Sequence, residues 1–272
     1  MSKKNQQLLL VSGIIILSVI LYFAPAKKET PVVASKPAYS FDAQLEKAKN
    51  KLARQELQNV NELEKKINEG SGTDQNILLD TLAKRWDALE DKSIAAHYFE
   101  LLAQKTNDEK NWLNAAYRYF DAFQMENDSV LRAVMVRKAI ESYNNVLKIN
   151  PANLDAKTDL GVCYTDGTSE PMKGIMLLRE VVSTNPQHEN AQYNLGVLSM
   201  RSGQYAKAAE RFEKVLSINP ERKEIYLMIS KAYLLSGNKD KAKENLERLK
   251  KKTNNPELLG QANSLLNNIT NH

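Results

Sequence analysis

A spacing pattern that returns at intervals of about 34 residues constrains the fold of this chain more than any other feature. Leu160-Gly161, Leu195-Gly196 and Ile229-Ser230 occupy one column, and Gly174-x-x-x-Leu178, Ala208-x-x-x-Phe212 and Ala242-x-x-x-Leu246 a second. Pro151, Pro186 and Pro220 form a third. Upstream, Leu79-x-x-Leu82-Ala83-x-x-Trp86 is followed by Ala95-x-x-x-Phe99, and Trp112-x-x-Ala115-Ala116-x-x-Tyr119 by Ala139-x-x-x-Tyr143. A period of this length marks supersecondary units that cannot bury an apolar face alone and therefore stack on their neighbours. Five units follow from the register: 76–109, 110–153, 154–188, 189–222 and 223–256.

Each column has a physical reason. Small residues at Ala83, Ala116, Gly161 and Gly196, and at Ala95, Ala139, Gly174 and Ala208, let two helices approach closely. Trp86, Tyr119, Tyr164, Tyr233, Phe99, Tyr143 and Phe212 fill the remaining space. Gly203 and Gly237 permit a left-handed backbone where a first helix ends, and the three prolines stop the second helices. Departures from the pattern are Ser199 in place of an aromatic residue and Asn254 in place of a proline. With 10 glycines and 8 prolines in 272 residues, and no sustained alternation of apolar and polar residues, the chain reads as all-α.

These columns resemble the tetratricopeptide repeat (TPR) family, whose W-x-x-L-G-x-x-Y, A-x-x-x-F and P signature becomes specific when it recurs in register. The resemblance implies an α-solenoid of about five helix-turn-helix repeats that holds partner proteins in a concave groove lined by the first helix of each pair. Positions off the packed columns then become candidate groove residues: Tyr117 and Phe120, Thr158 and Val162, Tyr193, Val197 and Met200, and Leu227, Lys231 and Leu234. The family's clamp for acidic chaperone tails needs lysine, asparagine and arginine where this chain has Thr158, Val162, Tyr193 and Val197, so chaperone-tail binding is not expected. The ladder is mainly apolar and suits an apolar peptide or amphipathic helix of a protein partner. The same groove is also suited to cover by the protein's own N-terminal helix or tail.

The ends of the chain differ from its middle. Leu8 to Phe23 is an uncharged run, interrupted only by Ser12, Gly13 and Ser18. As a helix it spans roughly 24 Å and, with Ala24 to Ala26, approaches the length of a membrane span. Residues 1–26 are expected to form a signal anchor; Ala24-Pro25-Ala26 equally fits a signal-peptide cleavage site, which would release the repeats. Lys3 and Lys4 precede the run without any acid, while Lys27, Lys28 and Lys36 follow it. The expected location is the inner membrane, single-pass, with the repeats outside the cytoplasm; the alternative is a secreted periplasmic protein. This layout is similar to that of bacterial envelope repeat proteins.

Residues 27–40 form a proline-bearing linker. Residues 41–69 read as one amphipathic helix whose apolar stripe runs through Phe41, Leu45, Ala48, Leu52, Val60, Leu63 and Ile67. That stripe either packs on the repeats or pairs with a second copy. Residues 257–272 read as a capping helix, with Leu258, Ala262, Leu265 and Ile269 on one face.

Between Tyr119 and Ala139 lie 20 positions where Trp86 and Ala95 are separated by 9, so the second repeat carries 11 extra residues. Asn127 to Ser129 supply a turn and helix cap, and the lengthened tip either exposes some of Val130, Leu131 and Val134 or is simply extra helical turns.

Nothing in the sequence points to catalysis. The glycines are taken up by repeat columns, turns, the linker, the apolar run and the tail, leaving none to cradle a phosphate. His97, His188 and His272 lack ligand spacing, and Cys163, beside Tyr164, reads as a buried apolar residue. The net charge of +5 is spread along the chain, which argues against nucleic acid. The expected function is a membrane-tethered scaffold or adaptor, not an enzyme, without metal or cofactor. The alternative is a structural envelope protein that oligomerises through residues 41–69.

Overall fold

The computed structural model describes residues 39–270, and all regular structure among them is helical. The expected membrane segment, Leu8 to Phe23, lies outside the described residues, and no described helix is long and apolar enough to cross a membrane. Thirteen helices follow one another: α1 (Phe41–Lys49), α2 (Arg54–Glu69), α3 (Gly72–Ala88), α4 (Lys92–Thr106), α5 (Glu109–Met125), α6 (Ser129–Ile149), α7 (Leu154–Gly167), α8 (Pro171–Thr184), α9 (Glu189–Arg201), α10 (Tyr205–Ile218), α11 (Ile225–Leu235), α12 (Lys239–Lys252) and α13 (Pro256–Thr270). From α3 onward they pair as α3/α4, α5/α6, α7/α8, α9/α10 and α11/α12, with α13 against the last pair. Among the first helices, α7 also touches α5 on one side and α9 on the other, so the three line one face.

Local chemistry sets these boundaries. Asp91, Asp108, Asp128, Asn153 and Asn238 each accept a hydrogen bond from a backbone N–H in the first turn that follows, satisfying groups the helix leaves unpaired. Gly203 (φ 73°) and Gly237 (φ 82°) close the turns inside the last two pairs. There Gln204 N–H donates to Ser199 O and Asn238 N–H to Tyr233 O, both at 2.8 Å. Between pairs, Asn150, Asn185 and Asn219 each accept from the N–H two residues on, at 3.2, 3.0 and 3.2 Å. The intervening proline has no N–H to continue the helix, and the asparagine side chain stabilises the turn.

Close packing explains the small residues. A Cβ on Gly174 would lie 2.2 Å from Gly161 O, and one on Gly161 would lie 3.1 Å from Gly174 O. The α7 and α8 backbones therefore meet at a distance that only glycine allows. A Cβ on Gly196 would strike the Phe212 ring at 2.7 Å. Around these contacts Trp86, Tyr119, Tyr143, Phe123 and Phe212 are fully buried. Polar braces cross the pairs: Glu100, 7% exposed, accepts from Tyr119 Oη at 2.5 Å and from Lys138 Nζ at 2.8 Å, joining α4, α5 and α6.

One expectation needs correction. Residues 41–69 are two helices, because the backbone turns at Asn50–Ala53 and Ala53 supplies no side-chain cap to α2. The break lets both segments join one core: Ala48, Val60 and Ile67 are buried with Leu79, Trp86 and Tyr98, while Phe41, Leu45, Leu52 and Leu63 pack against it. A Lys49–Glu64 ion pair ties α1 to α2, and Tyr98 Oη donates to Glu64 at 3.0 Å.

Of the two readings left open for the long second repeat, the structure has the extra helical turns rather than an exposed apolar tip. Its extra residues lengthen the helices to 17 and 21 residues, against 14 each in the next pair. Val134, Met135 and Val136 are buried, Leu131 packs on the same core, and Val136 fills the space beside Gly167.

Candidate protein-binding face

The first-helix face is built from side chains one turn apart on α5, α7, α9 and α11. On α5, Tyr117 and Phe120 are half-buried and meet the buried Tyr143 ring edge-on, at 6.1 and 6.4 Å between centroids. On α9, Tyr193, Val197 and Met200 are half-buried over a core containing Phe212, Ile225 and Ile229. Tyr193 lies 5.9 Å from the Phe212 ring, with the Arg222 guanidinium 4.7 Å from its centroid. Glu189 and Glu224 hold that arginine in place, at 3.0 and 2.9 Å.

The structure does not expose the whole expected ladder. Thr158 is 1% exposed, Val162 7% and Leu227 4%. Helix α7 is flanked by α5 and α9, which closes Thr158 and Val162 off, and Leu227 joins Leu246, Leu249 and Ala262 in a core that includes α13. What remains open is a patch at Tyr117 and Phe120, a second at Tyr193, Val197 and Met200, and a third at Lys231 and Leu234. Lys231 is exposed and Leu234 half-buried.

Electrostatics sharpen the first patch in a way the ladder reading missed. Burial raises the Tyr117 hydroxyl pKa, and the charges of Asp159, Asp155 and Glu109 raise it further. Burial pushes Asp159 up to about 6; the hydrogen bond from Tyr143 Oη, 3.2 Å away, opposes this, and Asp155 and Asp121 add to it. Asp121 is itself raised by burial. Aromatic rings here sit among carboxylates. Toward α9, Arg201 pairs with Asp166 at 2.6 Å across the two first helices, neutralising that carboxylate.

The other sequence candidates have structural roles. Cys163 is fully buried, and burial raises its thiol pKa. His97 stacks on Phe41 at 3.5 Å, and burial lowers its pKa. His188 Nδ1 accepts from Ala191 N–H at the start of α9. Among the described residues no group of three His, Cys, Asp or Glu side chains could hold a metal ion.

A row of antiparallel helix pairs whose first helices share an apolar and aromatic face defines an α-solenoid repeat protein. A family model described as Tetratricopeptide repeat matches residues 199–263. A tetratricopeptide repeat protein from Parabacteroides merdae superimposes with a TM-score of 0.56 at 16% identity, covering 84% of each chain. YrrB, described as a TPR protein with an unusual peptide-binding site, covers 74% of this chain and 97% of its own, with a TM-score of 0.50 and 17% identity. Tetratricopeptide repeat-containing protein trd-1 of Caenorhabditis elegans is 25% identical over 108 residues, which are 40% of this chain and 12% of that protein. The repeat match and the fold together support the tetratricopeptide repeat family, and the all-α fold is that of its solenoids.

Proposed function

We propose that this protein is a tethered scaffold that binds an apolar segment of another protein across the first-helix face, with residues 8–23 anchoring it in a membrane. Tetratricopeptide repeat proteins generally mediate protein–protein interaction, and YrrB is described as having an unusual peptide-binding site. The observation that carries the reading is the half-buried strip of Tyr193, Val197 and Met200. These residues lie four and three apart on one helix face and present apolar surface beside a packed core.

The self-association alternative loses its main support, because the stripe from Phe41 to Ile67 is used inside the chain against α3 and α4.

The test is replacement of Tyr193, Val197 and Met200 by serine in the full chain, read by thermal melting and by crosslinking and pulldown from native membranes. Losing an aromatic anchor at an interface costs about 2 kcal/mol, so affinity for a captured partner is expected to fall about thirtyfold. A variant that melts like the parent and keeps every partner places recognition elsewhere. One that unfolds shows the strip to be core, and Met200→Gln with Lys231→Glu then tests the same face with smaller changes.

A further inference from the structure

On the opposite helices of the third and fourth repeats, α8 and α10 wall an open-sided cavity of about 1110 Å³, floored by α9. Cavities of about 300–1,000 Å³ take small molecules, so this one has room for several side chains of a peptide. Its two walls differ in chemistry. Met172, Ile175 and Val182 line the α8 side, with Leu195 and Leu198 beneath them. Met172 and Met176, one turn apart on α8, are 61% and 67% exposed. Met172 to Val182 runs about 15 Å along the helix, nearly three turns.

The α10 side carries Lys207, Arg211 and Lys214, and Arg179 joins them from α8, against Glu210 as the lining carboxylate. Among the described residues none of those four cations has a carboxylate within ion-pair distance, whereas the fifth lining cation, Arg201, is spent on Asp166. Arg211 is held in place by an uncharged partner. Gln192, 5% exposed, donates through Nε2 to Pro186 O at 2.8 Å, which orients its Oε1 to accept from Arg211 Nη1 at 2.6 Å. The guanidinium is thus positioned without being neutralised.

We infer that this groove docks an acidic amphipathic helix of a partner protein, its apolar stripe against Met172, Ile175 and Leu198 and its carboxylates toward Arg179, Arg211 and Lys214. An apolar wall beside a cationic one calls for a ligand with the complementary division. The chain's own first 38 residues fail that requirement, because they carry Lys3, Lys4, Lys27, Lys28 and Lys36 against Glu29 alone. The groove is separate from the first-helix strip, so either surface can fail without the other.

The test uses a fluorescent amphipathic peptide of about 18 residues with leucines at helical spacing and glutamates elsewhere, and a twin with lysines in place of the glutamates. By anisotropy on the full chain, the glutamate peptide binds and weakens as salt rises, and its twin does not bind. Arg179→Glu with Lys214→Glu is expected to weaken the glutamate peptide by about tenfold or more, since two attractions become repulsions. Met172→Ser weakens it as well, while Tyr193→Ser with Val197→Ser leaves it unchanged. If the charge-reversed chain melts below the parent, Arg179→Gln with Lys214→Gln makes the comparison. Equal binding of the two peptides, no loss on charge reversal, or loss only in the first-helix variant would overturn the inference. Sedimentation showing a dimer that charge reversal abolishes would also overturn it, assigning the groove to a second copy.

Discussion

At the scale of single residues, the glycines separate positions where a side chain can be accommodated from positions where it cannot. A methyl on Gly174 meets Gly161 O at 2.2 Å and Thr165 N at 3.0 Å, both backbone atoms that cannot rotate away. A methyl on Gly161 meets Leu178 Cγ at 3.0 Å and Gly174 O at 3.1 Å, a strain that small shifts relieve. Overpacking costs about 1–3 kcal/mol or more, and alanine returns about 1 kcal/mol through its helix propensity. Gly174→Ala is therefore expected to lower the melting temperature by about 4–8 °C and Gly161→Ala by clearly less. Thermal denaturation decides it, and a Gly174→Ala chain that melts like its parent would mean the α7–α8 crossing is looser than the structure shows. The small columns were legible in the sequence because they recur. Gly167 was not: it reads as a turn residue, yet its space is taken by Val136, from an extension that has no counterpart in the other repeats. The Asn150, Asn185 and Asn219 turns have a sequence signal of their own, since the same Asn-Pro pair stands in all three copies.

At the scale of elements, the last helix protects what the repeats leave open. Ala262 is fully buried, and Leu258, Leu265 and Ile269 pack with it against Leu246, Leu249, Tyr226 and Leu227. Stopping the chain at Asn255 would return these side chains to water, each worth about 1.5–3 kcal/mol when fully buried. Such a truncated protein should melt several degrees lower and bind a hydrophobic dye, as expected when a solenoid loses its cap. Unchanged melting and no dye binding would show that α13 is dispensable. The same packing withdraws Leu227 from the binding face, which the spacing on α11 alone gave no reason to expect. At the other end, the apolar stripe of residues 41–67 was visible as a period, but a period does not say where the backbone turns; the break at Asn50–Ala53 follows from fitting two segments onto α3 and α4.

At the scale of the whole molecule, the proposed scaffold depends on where the repeats are held. If residues 8–23 anchor the chain, full-length protein should stay with membranes after an alkaline carbonate wash, and a form lacking residues 1–26 should be released. Full-length protein in the soluble fraction would overturn the tether, and a mature form beginning at Lys27 would show that the segment is removed. A tethered solenoid with two chemically different surfaces could hold two partners at once: an apolar segment on the first-helix strip and an acidic helix between α8 and α10.

The sequence by itself determined the helical class, the period and the small-and-bulky columns, because neighbour packing in a solenoid imposes the same steric demands on every repeat and so writes them repeatedly. By helical spacing it placed Tyr117, Phe120, Tyr193, Val197 and Met200 off the packed columns, but it placed Thr158, Val162 and Leu227 there on the same grounds. Only the tertiary structure decided which of the remaining candidates reach solvent. Thr158 and Val162 are closed by flanking first helices and Leu227 by the last three helices, and these are distances between elements that no local spacing contains. It alone brought Asp155 and Asp159 beside Tyr117 and set Arg179 and Lys214 on the walls of one groove, because charges far apart in sequence act on one another only once folding has brought them together.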